Sequence, residues 1–491
     1  MVTLTFYGGV NEIGGNKILV EHKGTRLMLD FGMSFTQAGK YFAEFLKPRK
    51  SVALKDFFEM GLLPDIPGVY REDYLNHMGR PKEERGIDAL FLSHAHADHA
   101  EYIHFLRKDI PIYCSPETKI ILGAIQETGV GTFSDFVTIC NAFMFYKNTK
   151  GSISKVTRRN KEHIFERPFS TMESGKRIEI GSFQIEMFPV DHSLPGCCGL
   201  IIYTDEGSIV YTGDIRFHGY KGDSSKIFVE EATKAKPKWL ISEGTRIDEQ
   251  EIDSEKDVFE GMSKLVSQAK GLVFVEHPIR DLDRVFTIYQ AAHKNTRELV
   301  VTLKQAYFIK VLEGMCPLKI EQLRILIPQK EWGLMHKTGA EWEEIKQNFS
   351  PLKEFEEWEA EFVQMTNSIT YEELKKNPSQ YVVSMNLWEI ANLIDIQPEN
   401  AIWIKSSCEP FCEEMELDEQ RKENWLNRFK VTYHKGSTHA SGHASGKDIR
   451  ELVNAINAEH VIPIHTEKPE LFKSFAKNII FAELNKTIIL K

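Results

Sequence analysis

Ser93-His94-Ala95-His96-Ala97-Asp98-His99 sets four potential metal ligands within six residues, directly after the apolar run Ala89 to Leu92. The run reads as a buried strand, so the histidines sit on the loop that leaves its C-terminal end. Neutral imidazoles and carboxylates are the ligands zinc uses in hydrolytic sites. Alternate positions in an extended loop aim two imidazoles at one ion, while the adjacent pair aims at another. The spacing therefore predicts a binuclear centre. A merely solvated His-rich loop would not require a buried-type strand to lead into it.

Three more strand-like runs end in a possible ligand: Val190-Asp191-His192-Ser193, Tyr211-Thr212-Gly213-Asp214 and Ile462-Pro463-Ile464-His465. Any one of these alone would more often be a capping or hydrogen-bonded surface residue. Their shared placement after strands makes His192, Asp214 and His465 ligand candidates. Asp30 closes the run Leu27 to Leu29 before Gly32, where a turn aspartate and a functional carboxylate look alike.

The rest of the chain is read for organisation. With 491 residues, 42% hydrophobic, it is long enough for two or more domains. Leu4 to Tyr7, Ile18 to Glu21 and Leu27 to Asp30 read as antiparallel strands, and Met33 to Arg85 as a helical insertion with no visible chemistry. Strands are expected again at Ile178 to Glu186, Gly199 to Tyr203 and Ile209 to Thr212, the last two joined by a Glu206-Gly207 turn. From about Gly271 the order becomes strand, helix, strand, helix: Leu272 to Glu276, Leu282 to His293, Leu299 to Leu303, Gln305 to Glu313. That is the pattern of a parallel α/β layer and predicts a separate, inserted domain. It continues through a helical stretch, Trp342 to Phe362, and strands at Tyr381 to Ser384 and Ala401 to Lys405.

No apolar run is long enough to span a bilayer and the start has no cleavable leader, so a cytoplasmic protein without a membrane partner is expected. The seven cysteines are scattered and read as reduced thiols; Cys408 and Cys412 lack a second ligand pair for a structural zinc. A net charge of −10 excludes a uniformly basic nucleic-acid surface. A polyanion would have to be held locally, by metal ions and a few placed cations.

These motifs resemble the metallo-β-lactamase superfamily, and within it the β-CASP nucleases, bacterial RNase J in particular. The likeness lies in Gly8-Gly9-Val10-Asn11-Glu12-Ile13-Gly14-Gly15-Asn16, His192-Ser193-Leu194-Pro195, Tyr211-Thr212-Gly213-Asp214 and Ser437-Thr438-His439-Ala440-Ser441-Gly442-His443-Ala444. It implies an α/β fold, an αββα sandwich with an inserted parallel α/β β-CASP domain. The divisions expected are 1–246 and 431–491 for the sandwich and 247–430 for the insertion. By the same resemblance His94, His96 and His192 hold one zinc, Asp98, His99 and His465 the other, and Asp214 bridges them. Asp30 would support the cluster through hydrogen bonds to its ligands. Glu243, His443 and His465 match the three β-CASP motifs in order, although Glu243 stands where the family has Asp. Histidine at the third motif is the pattern of RNA-cleaving members. No Gly-Ser-Gln-Gly-Glu block is present; Ser384-Met385-Asn386 follows the corresponding strand.

The resemblance implies a zinc-dependent ribonuclease with two Zn2+ ions, Mn2+ and Mg2+ being the alternatives, and RNA as the substrate. Asp98 would take a proton from the attacking water, and His443 would stabilise the phosphate or protonate the leaving oxygen. Without that role, His443 would simply precede the helix expected at Lys447 to Ala455. His439, Ser441 and Gly442 are candidate phosphate contacts near the start of that helix. Arg280 and Arg284 read as a solvated helix face more readily than as RNA contacts, and the acidic run Glu354 to Glu361 with Trp358 as an amphipathic helix. Stepwise 5′-to-3′ cleavage, with or without endonuclease action, is expected. A small-molecule hydrolase of the same fold and a catalytically weak RNA-binding scaffold are the alternatives.

Overall fold

A computed structural model describes residues 1–490 apart from 44, 130, 132, 159, 251, 411, 412 and 437. Cys412 and Ser437, both named above, lie outside the described residues. The chain divides into two compact units: residues 1–217, 221–251 and 442–491 form the first, and residues 218–220 and 252–441 the second.

The first unit is a sandwich of two sheets. One has seven strands in the order Phe169–Thr171, Ile112–Cys114, Ala89–Phe91, Thr25–Leu29, Lys17–His22, Val2–Gly8, Thr487–Leu490. The other has six, in the order Ile178–Ile180, Phe183–Pro189, Cys198–Thr204, Gly207–Tyr211, Trp239–Glu243, His460–Ile464. Alternate residues of both sheets meet in one core: Leu4, Phe6, Ile18, Val20, Leu27 and Leu29 from the first, Ile185, Leu200, Ile202, Ile209, Trp239 and Ile462 from the second. Such interdigitation of the facing side chains is what two apolar sheet faces packed together require. Helices Gly222–Lys234 and Gly446–Ile456 pack together outside the second sheet, the latter started by a Ser445/Asp448 capping box.

Three parallel pairings position the site. Leu29 pairs with Phe91, Tyr211 with Ile241, and Glu243 with Ile464. Each leaves adjacent strands ending at the same level, so Asp30 emerges beside Leu92 and Ser93, and Glu243 beside His465. Asp30 and His465 both have left-handed backbones, φ +56 and +49, uncommon for residues other than glycine. The turn aims each side chain back across its strand end.

The sequence reading needs correction at several points. Ile178 to Glu186 is two strands, because Gly181 adopts φ +54 against Thr25 and reverses the chain. The hairpin turn is Asp205-Glu206, with Gly207 already paired to Thr204. Among the described residues Met33 to Arg85 holds three short α-helices, Phe35–Gly39, Lys55–Glu59 and Glu72–His77, and one 3-10 turn, Lys50–Val52. Its aromatic residues Phe57 and Tyr74 pack on Phe105.

In the second unit all seven strands are parallel, in the order Ser368–Ile369, Arg324–Leu326, Glu298–Thr302, Tyr381–Ser384, Val273–Glu276, Ile402–Lys405, Thr432–His434. Thr432–His434 completes this sheet, so the chain rejoins the sandwich at Gly442 and not at the expected 431. The helical stretch Trp342 to Phe362 is broken at Pro351 into Ala340–Gln347 and Glu357–Val363. No helix among the described residues is long and apolar enough to cross a membrane.

Candidate metal centre

Seven side chains converge at the strand ends of the sandwich. His94, His96, His192 and Asp214 form one group with ligand atoms within 4.8 Å of one another, and Asp98, His99, Asp214 and His465 a second. Asp214 belongs to both. Within the first group His96 Nδ1 lies 3.0 Å from His94 Nε2 and 3.1 Å from His192 Nε2. A tetrahedral zinc with Zn–N bonds of about 2.0–2.1 Å spaces its ligands about 3.3 Å apart. Three imidazole nitrogens meeting at this distance are arranged as ligands around a shared point. In the second group His465 Nε2 is 3.2 Å from Asp98 Oδ2, and His99 Nε2 is 3.3 Å from Asp214 Oδ2.

The far side of four rings is tethered. Ser93 Oγ is 3.0 Å from His94 Nδ1, the Asp30 carboxylate 2.8 Å from His99 Nδ1, and Thr245 Oγ1 2.8 Å from His465 Nδ1. The Gly442 carbonyl accepts from His192 Nδ1. With each Nδ1 engaged outward, Nε2 faces the cluster, the pattern that fixes tautomer and ring angle in metal sites. Asp30 is itself held by the Ser93 N–H and hydroxyl at 2.7 and 2.8 Å and by Tyr211 Oη at 2.6 Å.

Electrostatics divide the site. Burial drives His94 and His192 well below the usual imidazole range, leaving their lone pairs bare. Burial would also depress His465, but the Asp214 and Asp98 carboxylates outweigh it and raise it to about 9. Asp214 is buried and Asp98 half-buried, yet the histidines around them hold both below the usual carboxylate range. His99 Nε2 and Asp214 Oδ1 are buried without a hydrogen-bond partner, a costly state that a cation between them relieves. The donor set of imidazoles and carboxylates fits zinc.

Beside this cluster, Glu243 and His443 form a pair. Both Glu243 oxygens lie within hydrogen-bond distance of His443 Nδ1, at 3.0 and 3.1 Å. Glu243 is anchored by the Ile215 and Thr245 N–H groups. The His443 ring stands 5.0 Å from that of His192 and 5.4 Å from that of His465.

Residues 435–489 match the family model described as RMMBL, a Zn-dependent metallo-hydrolase RNA specificity domain. Over 474 residues the chain is 23% identical to ribonuclease J 2 of Streptococcus pyogenes, covering 94% of this chain and 69% of that protein. Ribonuclease J of Pyrococcus abyssi is 23% identical over 492 residues, covering 95% and 90%. A crystal structure of an Enterococcus faecalis protein of unknown function superposes over the whole of both chains with TM-score 0.72 at 23% identity, a likeness of fold. The chain has a metallo-β-lactamase sandwich with an inserted α/β unit and is similar to the β-CASP ribonuclease J proteins. It is a metal-dependent hydrolase.

Every residue expected from the sequence to bind metal falls in the cluster, and Asp30 touches it from outside. The phosphate candidates are split. Gly442 packs against His192 and Ser193, where a Cβ would come within 3.0 Å of the ring. His439 and Ser441 belong to the second unit, where His439 Nδ1 is 3.4 Å from Arg284 and the Ser441 carbonyl accepts from His218. Arg284 is not a solvated helix face. It is fully buried, paired with Glu255 at 2.8 Å and bonded to the Ser406 and Ala440 carbonyls. Ser93, Thr245 and Tyr211 were not singled out for this role by sequence; only their adjacency to ligand-bearing motifs signals it. No metal-type cluster among the described residues includes a cysteine.

Proposed function

We propose that this protein is a zinc-dependent ribonuclease that hydrolyses RNA phosphodiester bonds, leaving 5′-phosphate and 3′-hydroxyl ends. The observation that carries the reading is the Glu243–His443 pair set against a complete seven-ligand cluster. A small uncharged substrate has no use for a second acid beside the metals, and an inactive scaffold has no use for the full ligand set. The printed names of the relatives and of the matching family model support RNA as the polyanion.

Two divalent cations in the two ligand groups supply Lewis acidity toward the phosphate and make a nucleophile available at neutral pH. The chain's own residues do the rest. Asp98 accepts the proton of the attacking water on its carboxylate. His443 donates Nδ1–H to Glu243, which turns Nε2 toward the substrate to protonate the departing 3′ oxygen. Glu243, held by two backbone N–H groups, fixes the orientation of the His443 ring. His439, Ser441 and Gly442 remain candidate phosphate contacts, and stepwise 5′-to-3′ removal of nucleotides is part of the proposal.

Zinc-loaded protein incubated with 5′-labelled RNA and matched DNA, resolved on a sequencing gel, tests it. RNA cleavage to 5′-phosphate products abolished by chelator is expected. A 2′,3′-cyclic phosphate product would exclude this mechanism, and equal cutting of circular and linear RNA would remove the exonuclease part.

A further inference from the structure

The segment 141–161 holds six lysines and arginines and no acidic residue, in a chain whose net charge is −10. Its middle is a two-stranded hairpin, Phe145–Lys147 paired antiparallel with Ile153–Lys155. Phe145 stands opposite Lys155, and Lys147 opposite Ile153. Cross-strand partners share a face, so one face presents two apolar side chains and two cations in a diagonal pattern. This face is open: Phe145 is 63% and Ile153 67% exposed, and both lysines are exposed. Tyr146 lies on the opposite face, also exposed.

The hairpin is built to hold its shape without burying that face. Asn148 Oδ1 accepts from the Lys150 and Ser152 N–H groups, its amide nitrogen donates to Ser154 Oγ, and Gly151 takes the left-handed conformation (φ +77) that closes the loop. At its base Lys155 Nζ sits 5.4 Å above the Phe143 ring, which stacks at 3.9 Å on His77. Arg158 is engaged with Asp135. Lys147, Lys150, Lys155 and Lys161 have no ion pair among the described residues. An exposed ribbon of aromatic residues alternating with unpaired cations serves neither the core nor solubility. It is the chemistry of a single-stranded nucleic-acid platform, in which bases stack on rings and phosphates lie against lysines.

We infer that the 145–155 hairpin is an accessory site for single-stranded RNA, binding the strand by stacking on Phe145 and by phosphate contacts to Lys147, Lys150 and Lys155. The inference rests on the ribonuclease reading for the identity of the polyanion, but it concerns binding and not cleavage.

The test separates the two contributions. Binding of the metal-loaded full chain to an unstructured, hydrolysis-resistant phosphorothioate RNA of about 30 nucleotides is measured by fluorescence anisotropy between about 0.05 and 0.2 M salt. The combined change Lys147→Glu, Lys150→Glu and Lys155→Glu is expected to weaken binding at least about tenfold and to lower the slope of log affinity against log salt by about 2, three phosphates' worth for a single strand. Phe145→Ala is expected to weaken binding about tenfold with the salt slope unchanged, the signature of a lost stack. Hydrolysis of a small chromogenic phosphodiester should stay at the wild-type rate in both, which also reports that the variants fold. RNA affinity and slope unaffected by all four substitutions would overturn the inference. So would a hairpin-dependent preference for phosphatidylserine vesicles over RNA. Should the wild type cleave RNA while hairpin variants bind as it does, the site alone falls. Should the wild type bind RNA through the hairpin without cleaving it, the ribonuclease reading alone falls.

Discussion

Thr245 Oγ1 lies 2.8 Å from Nδ1 of His465 and 3.2 Å from the carbonyl oxygen of the same residue. A hydroxyl has one proton to give. Donating it to the carbonyl, Thr245 must accept from Nδ1–H, and this leaves Nε2 as the nitrogen that faces Asp98 and Asp214. One residue thus sets both the backbone turn and the tautomer of the last ligand.

Thr245→Val keeps the shape and removes that acceptor. Metal affinity on the His465 side should fall about 10–100-fold, as for other partners of ligand histidines, with little change in the unfolding temperature of the metal-free protein. Competition with a chelator of known affinity reads the loss, and unchanged zinc retention would refute the tethering role.

Metal binding and proton transfer should separate at two histidines. His465→Ala should lose one metal and all activity together. His443→Ala should keep both metals and lose about a hundredfold or more in rate. Elemental analysis beside the rate decides it: a missing zinc in His443→Ala, or a wild-type rate, contradicts the assignment.

Gly32 has no room for a side chain. A Cβ there would stand 1.7 Å from the Asp98 carbonyl oxygen and 2.4 Å from the His99 nitrogen, both backbone atoms of ligand residues. Gly32→Ala is therefore expected to destabilise the protein by about 1–3 kcal/mol or more and to impair metal retention, read by thermal unfolding and metal content. A stable, fully loaded variant would show that this loop yields more easily than its contacts imply.

Acid should weaken the second unit through His277. Burial, reinforced by Arg284, holds this imidazole down to about 3, while in the unfolded chain it titrates near 6.5. Between those values the unfolded state binds a proton that the folded state refuses, so stability is full above about 6.5 and falls as pH drops toward 3, by up to about 1.4 kcal/mol per unit. His277→Gln should flatten that dependence, and denaturant titrations of metal-loaded protein at neutral and mildly acidic pH compare the two slopes. Parallel slopes would show that His277 is not the proton acceptor.

The residues of the His/Asp cluster were legible as candidates because their signal is local: each follows an apolar run and stands where a strand must end. The parallel pattern from Val273 onward was legible for the same reason, strand and helix periods alternating without interruption. Tethers such as Thr245 and Ser93 were not, since a hydroxyl's partner exists only once distant strands are paired. Arg284 deceived because its position on a helix says nothing of Glu255, which meets it from another helix of the same unit. The 145–155 hairpin left no trace of alternation because neither of its faces enters the core, and burial is what writes a period into sequence. The boundary at 442 was hidden by Thr432–His434, too short to announce the sheet it joins.

Strand His460–Ile464 pairs with Trp239–Glu243, across the whole of the second unit's chain. During synthesis, then, the ribosome releases six of the seven ligands long before the last. A nascent chain that has reached Asp214 carries a half-built pocket and an unpaired sheet edge, and it stays so until about 250 further residues have emerged. The order of assembly is itself a safeguard: the cluster closes only once His465 has been made, so a product terminated before it inherits the other six residues without the seventh.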